Sequence, residues 1–469
     1  MVAMCTATAA CANVLGFDDV SFGNGTSVGN GDAAPFDALQ VGKGGAKADS
    51  GSYGGHASSK DTPSDGSSAG GSYSAGGSSA GGSSDACPNG ACDNGETCSS
   101  CPQDCGDCPP SCPNGACDNG ETCGTCPQDC GACPCTTCTG GDGCCAPGCT
   151  PGNDPDCHHP CTEDPPEGAA LPPPLPGYSG GTCPLLHGGT NDLVSSGQPR
   201  QLQIALPSNP PPQPGERLPI VFLWHWQGGS GQAFIDHTQA QAAVDAQRFI
   251  AVAPESGGSS KPLFKWPSTL LDSEARLQEE LVFFDDMLAC AAQSFPSMDA
   301  KCVSTAGVSA GGLWVPQLAA RRAEYLASFV SMSGGVGSGV AKPWGNPGRK
   351  LPALVLWGGA CDQCSAGGFT INFQNTSQAL ESALAGQGHF LLECVHNCCH
   401  AEPPFDAPAG LSKFAGLWSF VFDHPYWLAP GESPYTSAIP WEKGLPPWCG
   451  IGPGSAPAAG ALACPGPAC

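Results

Sequence analysis

Ser309, Asp362 and His400 are the residues whose types and positions best suit chemistry. Ser309 lies in Gly307-Val308-Ser309-Ala310-Gly311, between a strand-like run at 302–306 and a helix-like run at 313–326. A serine at a tight strand-to-helix turn is pushed outward, and the N–H groups that open the helix point at the same spot. Its hydroxyl is a poor nucleophile until a base removes the proton. Histidine does this near neutral pH, and a carboxylate on its far nitrogen fixes the tautomer and stabilises the imidazolium. Asp362 and His400 each follow another apolar run, at 353–356 and 390–395. Asp285 and Asp286 are rival acids, in the middle of an amphipathic helical pattern, and His396 is the rival base.

The serine motif is meaningful only in its surroundings. The 469 residues include 67 glycines, and G-x-S-x-G also occurs at Gly66/Ser68/Gly70 and Gly77/Ser79/Gly81, inside a Ser/Gly run that cannot build a site. The elements that must position the candidates lie further along. Strands are predicted at 202–206, 219–224, 249–253, 302–306, 329–332, 353–356 and 390–395, with helices at 273–292, 313–326, 373–385 and 409–422. Continuous apolar strands alternating with helices predict an α/β fold, a mostly parallel sheet covered on both faces. The chemistry of such sheets sits at the carboxyl ends of the strands.

The order Ser…Asp…His is that of α/β hydrolases. Residues 200–425 resemble the α/β-hydrolase esterases grouped with polyhydroxybutyrate depolymerases and feruloyl esterases. The matching pieces are Ile220-Val221-Phe222-Leu223-Trp224-His225, Thr305-Ala306-Gly307-Val308-Ser309-Ala310-Gly311-Gly312, Gly358-Gly359-Ala360-Cys361-Asp362 and the late His400. The resemblance implies ester hydrolysis through an acyl-enzyme on Ser309, with His400 as base and Asp362 as orienting acid. It also implies an oxyanion site made by the N–H of Ala310 and one from Trp226 or Gln227. Where the family has His-Gly after the first long strand, this chain has His225-Trp226, which leaves the second donor open between Trp226 and Gln227. His225 itself reads as a structural histidine. A serine peptidase or acyltransferase on the same triad is a second reading. A surface adhesion or carbohydrate-binding protein with a silent hydrolase domain is a third.

Cysteines flank two of the three candidates. Cys361 directly precedes Asp362, and Cys399 directly precedes His400. A Cys361–Cys399 bridge would clamp acid to base, in partial parallel to fungal feruloyl esterases and tannases, where a disulfide joins residues beside the catalytic serine and histidine. Cys394 or Cys398 are alternative partners, and Cys364 an alternative to Cys361. Cys290 and Cys302 bracket a helix-to-strand connection and read as a structural pair. Trp224, Trp226, Phe264, Trp266 and Trp314 fall near strand ends or the serine turn. They suit either the walls of an aryl- or hydroxyalkanoyl-binding pocket or ordinary packing. The stretch at 344–350 and the loop after Pro254 are further candidates for shaping that pocket.

Composition divides the chain. Its net charge is −25, of which residues 1–167 carry −18, from 21 acidic and 3 basic side chains. Such a surface repels nucleic-acid phosphates. Thirty-two cysteines suit an oxidising, extracytoplasmic setting, either secreted or on a bacterial surface. Residues 1–20 resemble a truncated signal, with Cys11 placed like the lipidated residue of a bacterial lipoprotein. Residues 21–86 are a Gly/Ser-rich tether and 87–161 cysteine-rich repeats. In the repeats the six cysteines from Cys87 to Cys108 recur 25 residues on, from Cys112 to Cys133. Residues 162–186 form a Pro-rich spacer, 187–448 the catalytic domain and 449–469 a Gly/Pro/Cys tail. The chemistry needs no cofactor. Asp93, Asn94, Glu96 and Asp104, with Asp118, Asn119, Glu121 and Asp129, carry oxygens a calcium ion would accept, although Asp-Asn-Gly turns with solvated carboxylates explain them as well. The expected partner is an ester substrate, a feruloyl or acetyl ester of a polysaccharide or a polyhydroxyalkanoate.

Overall fold

The computed structural model describes residues 137, 138, 145, 149–154, 157–366, 368–408, 410–460, 462 and 464. The tether, the paired repeats, their possible calcium ligands and Cys11 lie outside the described residues.

Eleven strands and six α-helices follow one another from the Pro-rich stretch onward among the described residues. They are β1 (Gly189–Ser195), β2 (Gln198–Ala205), β3 (Leu218–Trp224), α1 (Gly231–His237), α2 (Ala240–Gln247), β4 (Ile250–Pro254), α3 (Glu274–Ser294), β5 (Met298–Val308), α4 (Ala310–Arg321), β6 (Ser328–Met332), β7 (Ala353–Trp357), β8 (Gln363–Ala366), β9 (Phe369–Asn372), α5 (Phe373–Gln387), β10 (Leu391–Val395), α6 (Ala415–Phe422) and β11 (Cys449–Ile451). Nine strands form one sheet in the order β1-β2-β4-β3-β5-β6-β7-β10-β11. The six from β4 to β10 run parallel; β1, β2 and β11 make the antiparallel margins. This is the α/β-hydrolase arrangement, and the expected fold class is the observed one.

The parallel strands are apolar on both sides because both sides are covered. In β3, Ile220, Phe222 and Trp224 face a core shared with α3, α4 and α5, while Val221 and Leu223 face a second core shared with α1, α2 and α6. Helix starts are fixed locally. Ser273 Oγ accepts from Arg276 N–H at the head of α3, and Asn372 Oδ1 accepts from Asn375 N–H at the head of α5. Gly388 ends α5 at φ +75°, a conformation glycine adopts without strain.

Six elements escape the sequence pattern, two of them the four-residue strands β8 and β9, which pair with each other apart from the main sheet. β1 is mostly polar and half exposed, α1 and α2 are only 7 and 8 residues long, and β11 has three residues. The segment beginning at Cys449 joins the sheet: β11 pairs with β10, Cys394–Cys449 bridges the two, and Cys398–Cys464 fastens the chain beyond β11.

The expected Cys290–Cys302 pair is a correction. Cys302, on β5, bonds Cys161, and Cys290, on α3, bonds Cys183. These bridges fasten both ends of the Pro-rich stretch to the domain. Further contacts hold it between them: Ser179 N–H and Oγ donate to Asp286, and Tyr178 Oη donates to the Val194 carbonyl. The reason is spatial. Cys290 and Cys302 are near in sequence, but each faces a different end of a strap that the sequence presents only as prolines.

Candidate active site

Ser309 stands between the end of β5 and the start of α4, with φ 57° and ψ −116°. Such a conformation is sparsely populated for a residue with a Cβ and costs about 1–3 kcal/mol, so the surroundings must impose it. They do so by close packing. A Cβ on Gly311 would collide with the Trp224 carbonyl, and one on Gly307 with the Gly311 carbonyl. The Ser309 N–H donates to the Met332 carbonyl at 2.9 Å, which ties the turn to the end of β6.

The three sequence candidates meet in one hydrogen-bonded line. His400 Nε2 lies 3.0 Å from Ser309 Oγ, and His400 Nδ1 lies 2.7 Å from Asp362 Oδ1. The carboxylate accepts from Nδ1–H, which leaves Nε2 unprotonated and able to accept from the serine hydroxyl. Asp362 Oδ2 accepts from Gly358 N–H at 2.7 Å and from Ser333 Oγ at 2.9 Å. All three side chains are at most 3% exposed.

The Asp362 and His400 loops are joined to each other. Cys361 and Cys399 form a disulfide, and Cys399 N–H donates to the Gly358 carbonyl at 2.9 Å. The alternative partners are used elsewhere, since Cys394 and Cys398 bond Cys449 and Cys464. Phe373, the first residue of α5, stacks on the His400 ring, and its N–H donates to the Asp362 carbonyl oxygen. Nothing in the sequence marks Phe373 for this position.

The rivals are occupied elsewhere. Asp285 takes both Nε–H and Nη2–H of Arg322 at 2.7 Å, and Asp286 takes the donors of Ser179. His396 accepts at Nδ1 from Cys398 N–H and packs on Trp448. Burial pushes its pKa down to about 4.

The loop after β3 runs beside the serine, because Trp224 pairs with Gly307 in the sheet. His225 Nδ1 lies 2.8 Å from the Trp226 carbonyl, so it carries the proton; that carbonyl also accepts from Gly229 N–H. Burial lowers the His225 pKa to about 4. Ala310 heads α4, where the first N–H groups of a helix have no partner within it. Trp226 and Gln227 lie in the tight turn that starts just beyond the Trp224 end of β3.

All five aromatic residues near the strand ends prove to be buried. Trp224, Phe264, Trp266 and Trp314 are at most 4% exposed and share one cluster, with Trp266 and Trp314 edge-on to Trp224. Trp226, likewise 4% exposed, belongs to the second core and borders a small cavity. In the stretch at 344–350, Trp344 stacks on Phe329 and Arg349 reaches the Leu326 carbonyl just before β6 begins. Among the described residues no cluster of three or more His, Cys, Asp or Glu side chains suits a metal ion, and no helix is long and apolar enough to cross a membrane.

No protein-family model matches the chain, nor does any curated protein. Solved structures do. The native form of pOPH is 16% identical with a TM-score of 0.46, over 60% of this chain and 99% of that one. A ferulic acid esterase is 15% identical with a TM-score of 0.35, over 45% and 89%. An esterase of Pyrobaculum calidifontis is 16% identical with a TM-score of 0.32, over 47% and 78%. At such similarity the function has to be read from the geometry of the site.

Proposed function

We propose that this protein is a serine carboxylic-ester hydrolase. One observation carries the reading: the His400 imidazole bridges a carboxylate and a serine hydroxyl held on a strained strand-to-helix turn. Ser309 Oγ attacks the ester carbonyl carbon while His400 Nε2 takes its proton. Asp362 keeps the proton on Nδ1 and stabilises the imidazolium. Negative charge collects on the carbonyl oxygen, where the N–H of Ala310 and one N–H of the Trp226–Gln227 turn receive it. The tetrahedral species collapses, the alcohol leaves with the proton from Nε2, and the acyl group remains on Ser309. Water, deprotonated by the same nitrogen, then releases the acid.

Seven disulfides join described residues, which supports an oxidising, extracytoplasmic place of work. Secretion or anchoring through Cys11, and retention of the enzyme by its cysteine-rich front half, belong to the same proposal.

Turnover of p-nitrophenyl acetate tests it. The wild type should hydrolyse the ester, and Ser309→Ala should lower kcat by about a thousandfold or more. Equal turnover by both would remove Ser309 from the reaction.

A further inference from the structure

The end of the cysteine-rich segment is built into the domain. Cys145–Cys157 closes a loop whose Gly152 N–H donates to the Ala246 carbonyl near the end of α2, so closely that a Cβ on Gly152 would strike the Asp245 carbonyl. Between this loop, α2 and α6 lies a cavity of about 480 Å³. Gln247, on its wall, ends α2 just before β4, so the cavity lies where the strands begin, whereas Ser309 stands where β5 ends. The proposed reaction makes no use of it.

The walls suit a neutral ligand with both apolar and hydroxyl surface. Pro151, Leu411 and Phe422 give apolar faces, and His159 stacks on Phe422 with ring centroids 4.8 Å apart. Burial lowers the His159 pKa to about 4, so that ring is uncharged at neutral pH. The Lys443 ammonium is paired with Asp423 at 2.7 Å, and the other ionisable groups on the wall, Glu442 and His158, are exposed. Two buried acceptors in the wall, His159 Nδ1 and Gln247 Oε1, have no partner among the described residues. An unmade bond at a buried acceptor is costly. The bonds that hold these two side chains run from His159 Nε2–H to the Gln247 carbonyl and from Gln247 Nε2–H to Ser419 Oγ. Each is 3.4 Å, long for a hydrogen bond, so a better donor in the cavity can draw either side chain toward it.

We propose that this cavity binds neutral sugar residues of a polysaccharide and so holds the enzyme on that polymer. A sugar ring brings hydroxyl donors on its edge for the unpartnered acceptors and C–H groups on its faces for the apolar walls. An anionic ligand would meet Asp423 and Glu442, and a cationic one would meet Lys443. The volume falls within the roughly 300–1,000 Å³ of small-molecule pockets. Trp441 precedes Glu442 and is 47% exposed, which offers an aromatic face to the polymer beyond the cavity. The site is separate from the triad and does not depend on the esterase reading.

Native electrophoresis of the full chain through gels containing de-esterified arabinoxylan, galactomannan or hydroxyethylcellulose tests the proposal. At least one of these neutral polymers should retard the wild type, and Ser309→Ala should be retarded equally. Trp441→Ala, Glu442→Ala and His158→Ala, all at exposed positions, should each weaken the apparent affinity by about fivefold or more. Their turnover of p-nitrophenyl acetate should stay within about twofold of wild type. Free migration of the wild type in all three gels, or retardation unchanged in all three variants, overturns the assignment. Retardation by polygalacturonate or chitosan alone overturns the neutral-sugar class. Loss of retardation in Ser309→Ala would move binding to the triad and overturn the separate site. Failure of the esterase reading is scored apart from these outcomes, since it shows in ester turnover and leaves retardation untouched.

Discussion

Phe373 lies flat against the imidazole of His400, ring centroids 4.4 Å apart and planes 6° from parallel. The ring covers one face of the imidazole, and the Phe373 backbone N–H donates to the carbonyl oxygen of Asp362. One residue thus touches both His400 and Asp362, and it does so from the first turn of α5. The imidazole is held by stacking on its face and by hydrogen bonds at both nitrogens, so its plane is set before substrate arrives.

Removing the stack should loosen the base. Phe373→Ala is expected to lower kcat about tenfold with little change in KM, because the contact orients a group and binds no substrate. Phe373→Tyr keeps a flat ring and should retain most of the activity. Steady-state kinetics of the two variants check this; equal loss in both would assign Phe373 to general packing.

The Cys361–Cys399 bridge closes a loop of 38 residues that begins beside Asp362 and ends beside His400. A loop of this size contributes about 3–4 kcal/mol in the chain-entropy account. The paired replacement Cys361→Ser with Cys399→Ser should lower the Tm by about 5–10 °C. It should also lower kcat below the Tm, since the Asp362 and His400 loops lose their covalent tie. Calorimetry and kinetics at 25 °C measure the two effects separately; full activity in a folded double variant would show that the hydrogen bonds alone hold the geometry.

A pair of buried carboxylates makes stability depend on alkaline pH. Burial, and then the neighbouring Glu393, push the Glu381 pKa up to about 8, and Glu381 accepts from Trp357 Nε1 at the end of β7. The folded protein therefore holds a proton that the unfolded chain releases near pH 4.5. The resulting stability is complete below that value and lost as pH rises through 8. The buried imidazoles of His159, His225, His396 and His424, lowered to about 4 by burial, act in the opposite sense on the acid side, where stability falls as pH drops below 6.5. Between pH 6.5 and 9 only the carboxylate effect remains of these two. Tm should fall across that window in the wild type and stay level in Glu381→Gln; parallel slopes in both would refute the assignment to Glu381.

Much of the candidate site was legible because the proposed chemistry needs particular backbone shapes. Gly307 and Gly311 are forced by carbonyls that leave no room for a Cβ, and the apolar runs of β5, β7 and β10 announce strands buried on both faces. Their ends deliver Ser309, Asp362 and the loop to His400. The features hidden from the sequence depend on distance through space. Phe373 reaches His400 only because α5 folds back over the acid loop. Cys161 finds Cys302 across 141 residues, and Cys183 finds Cys290 across 107, by way of a proline strap with no periodic signal. The tryptophans near the strand ends look alike in sequence, yet Trp224, Trp266 and Trp314 pack against one another in the core while Trp226 borders the small cavity. Small size hid β11 as well, whose place in the sheet is secured by pairing and by the bond from Cys449 to Cys394.

The most direct measurement of the central claim is fluorophosphonate labelling with peptide mass mapping of wild type, Ser309→Ala, His400→Gln and His396→Gln. The account predicts a single adduct on Ser309 in the wild type, none in Ser309→Ala, labelling slowed by about a hundredfold or more in His400→Gln, and labelling within a few-fold of wild type in His396→Gln. An adduct that persists on another residue in Ser309→Ala, or a rate that depends on His396 and not on His400, would contradict it.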